Sequence, residues 1–295
     1  MRKAIKLVTA TSKNHWNRFI NENLYNENIT ELVVDFSNCD FIEPFHIVLL
    51  ACLIEDYHRN KIPIIFEKGY NLPLNEYLSN IKFWDYWQPN FERTSFTQNG
   101  STTNLCLWQL NPAMLSFYVV YAQEYFENNF SNERSFEPLN ISLAELFNNI
   151  VDHSQSLVSG YTTNQFYPKS NKLKIAICDL GIGIPNKINN YLISQGNSVI
   201  SSVTALSKSF EKGYSTKSSP KNRGFGLDTL MTIAKNSNGS LKVISNDAML
   251  ILKPNETIKL FPLNYNFRGT HFEMILDVNT FYEENNEIFG EDYSF

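Results

Sequence analysis

Three polar side chains with helical spacing form the first group of residues in this 295-residue chain that could do chemistry. Glu145, Asn149 and Asp152 are separated by four and three residues, which places them on one face of a predicted helix, opposite an apolar stripe. A carboxylate one turn from an amide oxygen could act as a general base beside a Mg²⁺ ligand, since Mg²⁺ prefers hard oxygen donors. The alternative is structural: Ser142 and Glu145 also fit a capping box, and the remaining polar residues could form a solvated face.

A glycine motif follows a predicted apolar strand over residues 173–178. It reads Asp179-Leu-Gly181-Ile-Gly183, and glycines at alternate positions let a ligand approach the backbone closely. The Asp179 carboxylate could accept a hydrogen bond from an adenine amino group, which only donates. An ordinary turn between a strand and a helix is the alternative interpretation.

A basic loop rich in hydroxyl groups lies between Gly213 and a helix predicted to begin near Leu227. Free backbone N–H groups and the dipole of the following helix favour anions, so this loop could hold phosphates. It lacks the Walker A pattern, and a flexible surface loop is the alternative. The residues that carry this prediction are Lys212, Gly213, Ser215, Thr216, Lys217, Lys221, Arg223, Gly224, Phe225, Gly226 and Leu227.

A fourth segment, Gly269-Thr270-His-Phe272, opens an apolar strand that has a hydroxyl near its start. In this order and spacing the four segments resemble the nucleotide-binding boxes of the GHKL ATPase superfamily. "ELFNNIVDH" is similar to the N box and "DLGIGIP" to the first glycine box. "GYSTK…NRGFGL" is similar to the lid and second glycine box, and "GTHFEMIL" to the closing strand. The resemblance covers residues 105–278 and is nearest to the anti-sigma-factor kinase branch.

The resemblance implies ATP and Mg²⁺ as cofactors and gives roles to individual residues. Glu145 would polarise the attacking water or hydroxyl, and Asn149 would bind Mg²⁺ between the phosphates. Asp179 would contact adenine, supported by Thr270. The other implied binding residues are Asp152, Gly181 and Gly183, with Gly213, Ser215, Thr216, Lys217, Arg223, Gly224, Phe225, Gly226 and Leu227 around the phosphates, of which Lys217 and Arg223 would contact them directly.

The first hundred residues predict a small α/β module. A buried strand over 32–36 precedes a helix over 46–59 with an apolar face and a polar end, and a second strand follows at 63–66. This order resembles a STAS domain of the anti-anti-sigma-factor type, although Glu43-Pro44-Phe45-His46 stands where regulatory members carry a phosphorylatable hydroxyl. The resemblance implies a docking or scaffold module, and an unrelated α/β domain is the alternative.

Composition sets the outer limits of these predictions. The chain is 43% hydrophobic and has 22 Phe and 15 Tyr against 12 Gly, so it has enough apolar material for a packed core. A net charge of −5 argues against non-specific nucleic-acid binding. We expect no signal peptide, no membrane span, four buried free cysteines and a cytoplasmic location.

Together these observations predict an α/β protein with a STAS-like module over 1–100 and a Bergerat-type α/β sandwich over 101–295. The sandwich is expected to have a mixed sheet with helices on one face. The predicted function is an ATP- and Mg²⁺-binding regulatory protein, a slow ATPase or nucleotide-gated switch that acts through a protein partner at the STAS-like module. A protein serine/threonine kinase acting on a STAS-domain partner and a non-catalytic ATP-binding module are the alternatives, and homodimerisation stays open.

Overall fold

The computed structural model describes residues 1–8, 13–93, 103–130, 136–153, 158, 160–214 and 225–280. The strands are β1 (Arg2–Val8), β2 (Glu31–Asn38), β3 (Ile64–Glu67), β4 (Asn104–Leu110), β5 (Gly160–Tyr167), β6 (Lys172–Asp179), β7 (Ser240–Leu252) and β8 (Lys259–Asp277). The α-helices are α1 (Lys13–Glu22), α2 (Pro44–Arg59), α3 (Leu72–Asn80), α4 (Pro112–Asn129), α5 (Glu137–His153), α6 (Ile184–Ser194), α7 (Ser202–Lys208) and α8 (Phe225–Asn236). No helix in these ranges is long and apolar enough to cross a membrane.

The N-terminal strands form a parallel sheet in the order β1-β2-β3. Parallel neighbours need a crossover connection, which the helices α1 and α2 provide along the chain. The predicted small α/β module is therefore present, with β2, β3 and α2 at the expected places. Its likeness to a STAS domain stays a prediction.

The C-terminal strands form a five-stranded sheet in the order β4-β5-β6-β8-β7, with α4, α5 and α8 packed on one face. The α/β sandwich is thus confirmed, but the expectation of a mixed sheet is wrong in the described strands, because every pair is antiparallel. Short connections join β5 to β6 and β7 to β8 as hairpins, and a hairpin fixes an antiparallel pair.

Both faces of the five-stranded sheet are buried. On β6, Leu173, Ile175 and Ile177 belong to the core formed with α4, α5 and α8, here called the helix-side core. The alternate residues Ala176 and Cys178 belong to a second core around α2, here called the central core. Successive side chains of a strand point to opposite faces, so β6 contributes to both cores. The described helices of residues 101–295 that pack on this sheet are thus on one face, as predicted, and α2 of the N-terminal module covers the other face.

Helix α2 lies between the two sheets and is buried along nearly its whole length, from Pro44 to Tyr57. The predicted polar end is present, but most of it is buried as well, since Glu55 and Asp56 are 3% and 7% exposed. A helix covered on all sides is expected to be apolar all round, and α2 is so from Ile47 to Ile54. Periodicity in the sequence could not reveal the second covering layer.

The buried end of α2 is neutralised by an ion pair. The Glu55 Oε2 atom accepts hydrogen bonds from Arg93 Nη1 at 2.8 Å and from the Tyr161 hydroxyl on β5 at 2.7 Å. Arg93 also donates to the carbonyl of Tyr86, at 2.6 Å from Nη2. This network joins the N-terminal module, the segment that follows α3 and the five-stranded sheet at one place.

We expect Arg93→Ala to lower the free energy of unfolding by about 3 kcal/mol, because it leaves the Glu55 carboxylate buried without its charge partner. The double variant Glu55→Gln/Arg93→Met should recover most of this loss, since no charge then remains buried. Urea unfolding measures both. Arg18→Ala, which breaks the exposed Arg18–Glu22 pair on α1, is the matched control and should leave the midpoint unchanged. Equal effects of the two single variants would contradict the assignment.

Candidate functional site

The centre of the site is Asp179, the last residue of β6. Its Oδ1 atom accepts a hydrogen bond from the backbone N–H of Gly181 at 2.7 Å, and its backbone pairs with Thr270 on β8. Asp179 continues the alternation of Ile175 and Ile177, so its side chain is on the face of the sheet that carries α4, α5 and α8. Asp179, Gly181 and Thr270, three of the residues predicted to lie around adenine, are therefore close together.

Burial dominates the electrostatics of Asp179, whose side chain is 4% exposed. Loss of hydration raises its pKa from 3.8 to about 6, while hydrogen bonds from the backbone of Gly181 and Thr270 and the charge of Lys187 oppose the rise. Because water stabilises the ionised form of this buried carboxylate poorly, a hydrogen bond donated by a ligand would stabilise it more than it would stabilise an exposed carboxylate. This is the property expected of a group that accepts from an amino group.

The glycine motif forms the turn between β6 and α6. Gly183 adopts a φ of 81°, and a Cβ there would lie 2.5 Å from the Asn246 side-chain oxygen. The backbone of the turn therefore packs directly against β7, in a conformation and a space that other residues do not fit. The turn interpretation of the motif is therefore correct, and the close approach of a ligand to this backbone stays a prediction.

Two residues of β7 that the sequence did not indicate hold this turn. The Ser245 hydroxyl accepts from the Ile184 N–H at 2.8 Å, donates to the Gly269 carbonyl at 3.0 Å and lies 3.0 Å from the Thr270 hydroxyl. The Asn246 amide donates to the Ile182 carbonyl at 3.0 Å. The polar run at residues 245–247, inside a mostly apolar strand, is the feature of the sequence that could have indicated these two residues.

Helix α5 places Glu145 and Asn149 one turn apart, both half-buried. The helix begins at Glu137, so Ser142 lies in its second turn and cannot form a capping box there; the capping-box explanation is wrong. Asn148 between them is exposed, so Glu145 and Asn149 are less accessible to water than their neighbour. The side chain of Asp152 lies outside the described part of the chain.

Most of the basic loop also lies outside the residues that the structure describes. Gly213 has a φ of 75°, and α8 begins at Phe225, so the helix expected near Leu227 is confirmed. Leu227 packs against the helix-side core. The predictions for Ser215, Thr216, Lys217, Arg223 and Gly224, and for the surroundings of Phe225 and Gly226, fall on residues or side chains that the structure does not describe.

Comparison with known protein families gives one match, over the part of the chain that contains Asp179. Residues 171–255 match the model of the GHKL domain. This GHKL match begins one residue before β6, includes the glycine turn, the basic loop and α8, and ends just after β7. No curated protein matches the chain. The match supports the superfamily resemblance on strands and turns that the structure brings together at one site.

The raised pKa of Asp179 predicts an effect on stability. Between pH 3.8 and about 6 the unfolded chain loses this proton before the folded protein does, so the free energy of unfolding falls as pH rises through that window. Above pH 6, Asp179→Asn should raise the free energy of unfolding by on the order of 2 kcal/mol, since each unit of pKa difference between the folded and unfolded states corresponds to about 1.4 kcal/mol. At pH 4 the two proteins should differ little. Urea unfolding at pH 4 and pH 7.5 measures this.

The exposed carboxylate of Asp247, close to the site in sequence, supplies the control. Asp247→Asn should change stability by less than about 0.5 kcal/mol at both pH values. If Asp179→Asn were destabilising at pH 7.5, or equally stabilising at both pH values, the cost of the buried charge would be refuted.

Proposed function

We propose that the chain binds ATP with Mg²⁺ at this site and acts as a nucleotide-gated regulatory protein with slow ATP turnover. The observation that carries the proposal is the buried Asp179 carboxylate, held between the glycine turn and Thr270 inside the stretch that matches the GHKL domain. A GHKL domain indicates ATP binding but does not decide between hydrolysis, phosphoryl transfer and binding alone. The proposed turnover depends on the residues of α5.

The residues present fit the adenine end of ATP. Asp179 offers an acceptor for an exocyclic amino group, whereas guanine presents a carbonyl oxygen at that position and cannot donate. The hydroxyls of Ser245 and Thr270 lie 3.0 Å apart beside it. Because the Ser245 proton goes to the Gly269 carbonyl, Thr270 donates to Ser245, and its oxygen can accept a hydrogen bond from a ligand.

The phosphate end is assigned to α5 and the basic loop. Asn149 would hold Mg²⁺, which neutralises phosphate charge when bound. Glu145, one turn earlier, would take the proton from a water or hydroxyl nucleophile. The cap explanation for Glu145 no longer holds, because α5 begins at Glu137, and this favours a chemical role over purely structural nucleotide binding. The loop residues 213–227 would surround the phosphates and close over them.

A protein serine/threonine kinase remains the second candidate, because the same Glu145 could activate a hydroxyl of a protein instead of water. The N-terminal module, with its division from the rest near residue 100, is then the part that contacts a STAS-type partner or another protein. A non-catalytic ATP-binding module is the third candidate. A cytoplasmic location and a homodimer stay predictions.

We expect Asn149→Ala to weaken Mg²⁺-dependent ATP binding by at least about tenfold, because the metal loses a ligand. Glu145→Gln should keep ATP affinity within about threefold and lower turnover by about 100-fold or more, because it removes the base but keeps the shape. Asn148→Ala, an exposed neighbour on the same helix, is the matched control for both. Calorimetry measures binding, and release or transfer of labelled phosphate measures turnover.

Incubation with labelled ATP, with and without a cell extract, separates the three candidates. Released phosphate indicates an ATPase, a labelled protein indicates a kinase, and binding without either indicates a structural site. Turnover of Glu145→Gln equal to that of the unchanged protein would remove Glu145 from the mechanism.

A second prediction concerns base recognition. Adenosine affinity should rise with pH through about 6, because the ionised Asp179 carboxylate is the better acceptor for the amino group. Asp179→Asn should lose this pH dependence and at least about tenfold in adenosine affinity at pH 7.5. Adenosine is the better probe, since it has no phosphate that titrates in this range. Equal binding of adenosine and guanosine to the unchanged protein would refute the adenine role.

A further inference from the structure

Strand β8 contains an irregularity directly beside the site. Ser245 pairs with Thr270, but the next residue of β7, Asn246, pairs with Phe267. Arg268 and Gly269 are therefore two extra residues on β8, which form a β-bulge at this point. A bulge redirects the side chains around it and removes backbone groups from the regular ladder. Its geometry consequently has to be fixed by contacts from outside the two strands.

One side of the bulge contacts Asp179. Gly269 has a φ of 96°, and any Cβ there would collide with the Asp179 carbonyl. The Gly269 carbonyl accepts from the Ser245 hydroxyl, and the next residue, Thr270, is the strand partner of Asp179. A displacement of the bulge would therefore move Thr270 relative to Asp179.

The other side of the bulge contacts helix α1 of the N-terminal module. The backbone N–H of Arg268 donates to the Asn21 side-chain oxygen at 3.0 Å. One turn earlier on α1, the buried Asn17 amide lies 3.0 Å from Nδ1 of His271, the residue after Thr270. The two asparagines are four residues apart, so they lie on the same face of α1. They contact β8 immediately before and after Gly269-Thr270.

Helix α1 is itself fixed on the central core. Trp16 and Ile20 are buried in that core, and the Trp16 ring lies 4.5 Å from the His46 ring at the start of α2. The Arg268 guanidinium adds a contact of 3.7 Å to Asp56 near the end of α2. The N-terminal module therefore contacts the bulge on one side, and Asp179 contacts it on the other.

We propose that α1 positions the adenine end of the site, with Asn21 and Asn17 as positioning residues that fix the β8 bulge. The proposal rests on the proposed function, since it concerns ATP binding at Asp179. Because coupling between two sites is reciprocal, ATP should stabilise the docked α1, and release of α1 should weaken ATP binding. A protein that binds the N-terminal module and displaces α1 would thereby lower nucleotide affinity without entering the site.

The variants target the contact to Arg268. Asn21→Leu keeps a similar volume but removes the acceptor, and it should weaken adenosine and ATP binding by about 3- to 10-fold. Asn21→Asp restores an acceptor and should bind within about twofold of the unchanged protein. Glu22→Ala, at the exposed next position on α1, is the matched control and should bind normally. Binding is measured by calorimetry on the full chain, with pyrophosphate as a probe that should be unaffected by all three.

Hydrogen exchange tests the reciprocal effect without any variant. Saturating ATP should slow amide exchange in α1 by about 3- to 10-fold, whereas α3, in the same module, should change by less than about twofold. Asn21→Leu should lose this protection of α1.

The outcomes separate this proposal from the proposed function. If the unchanged protein binds neither ATP nor adenosine, the proposed function fails and the coupling fails with it. If it binds both, but Asn21→Leu binds equally well and α1 exchange does not respond to ATP, only the coupling is refuted. If Asn21→Leu lost pyrophosphate binding together with adenosine binding, the coupling would also be refuted, because the substitution would then have disrupted the whole site and not the adenine end.

Discussion

The burial of α2 between two sheets is the constraint on which the rest of the structure depends. A helix that is apolar all round must be covered on every side, so the three-stranded and five-stranded sheets share one core along it. Glu55 at its buried end must then be paired, which draws in Arg93 and Tyr161. This packing covers the back of β6, which ends at Asp179 beside the glycine turn.

The site itself lowers stability, and the core around α2 offsets this. The Asp179 carboxylate is held away from water, and β8 departs from regular pairing at Arg268 and Gly269. Both features cost free energy in a protein that only has to fold. The positive φ angles of Gly183 and Gly269 exclude other residues there without straining glycine itself. The coincidence of the buried carboxylate and the bulge at one end of β6 and β8 is a physical reason, independent of family resemblance, to assign function there.

Elements with strong local signals could be predicted from the sequence. The apolar runs of β2 and β6, the start of α8 and the glycine motif after Asp179 all appear where expected. What could not be predicted depends on long-range contacts. Nothing local shows that α2 is covered twice, that Ser245 and Asn246 fasten the glycine turn, or that β8 contains a bulge against α1. In each case the partner is more than 60 residues away or becomes a neighbour only through sheet pairing.

The N-terminal module reaches both strands of the site, but its two contacts differ in kind. On β6, the Cys52 thiol of α2 donates to the carbonyl of Cys178, the residue before Asp179, at 3.3 Å inside the central core. That contact cannot open without disrupting the core. On β8, the hydrogen bonds come from the shorter helix α1, through the buried Asn17 and the half-buried Asn21. The described side chains that bury α1 are Trp16, Asn17 and Ile20, whereas α2 is buried from Pro44 to Tyr57. Local opening is easiest where fewer buried groups must separate, so α1, and not α2, is the element through which a partner could change the site while the fold stays intact.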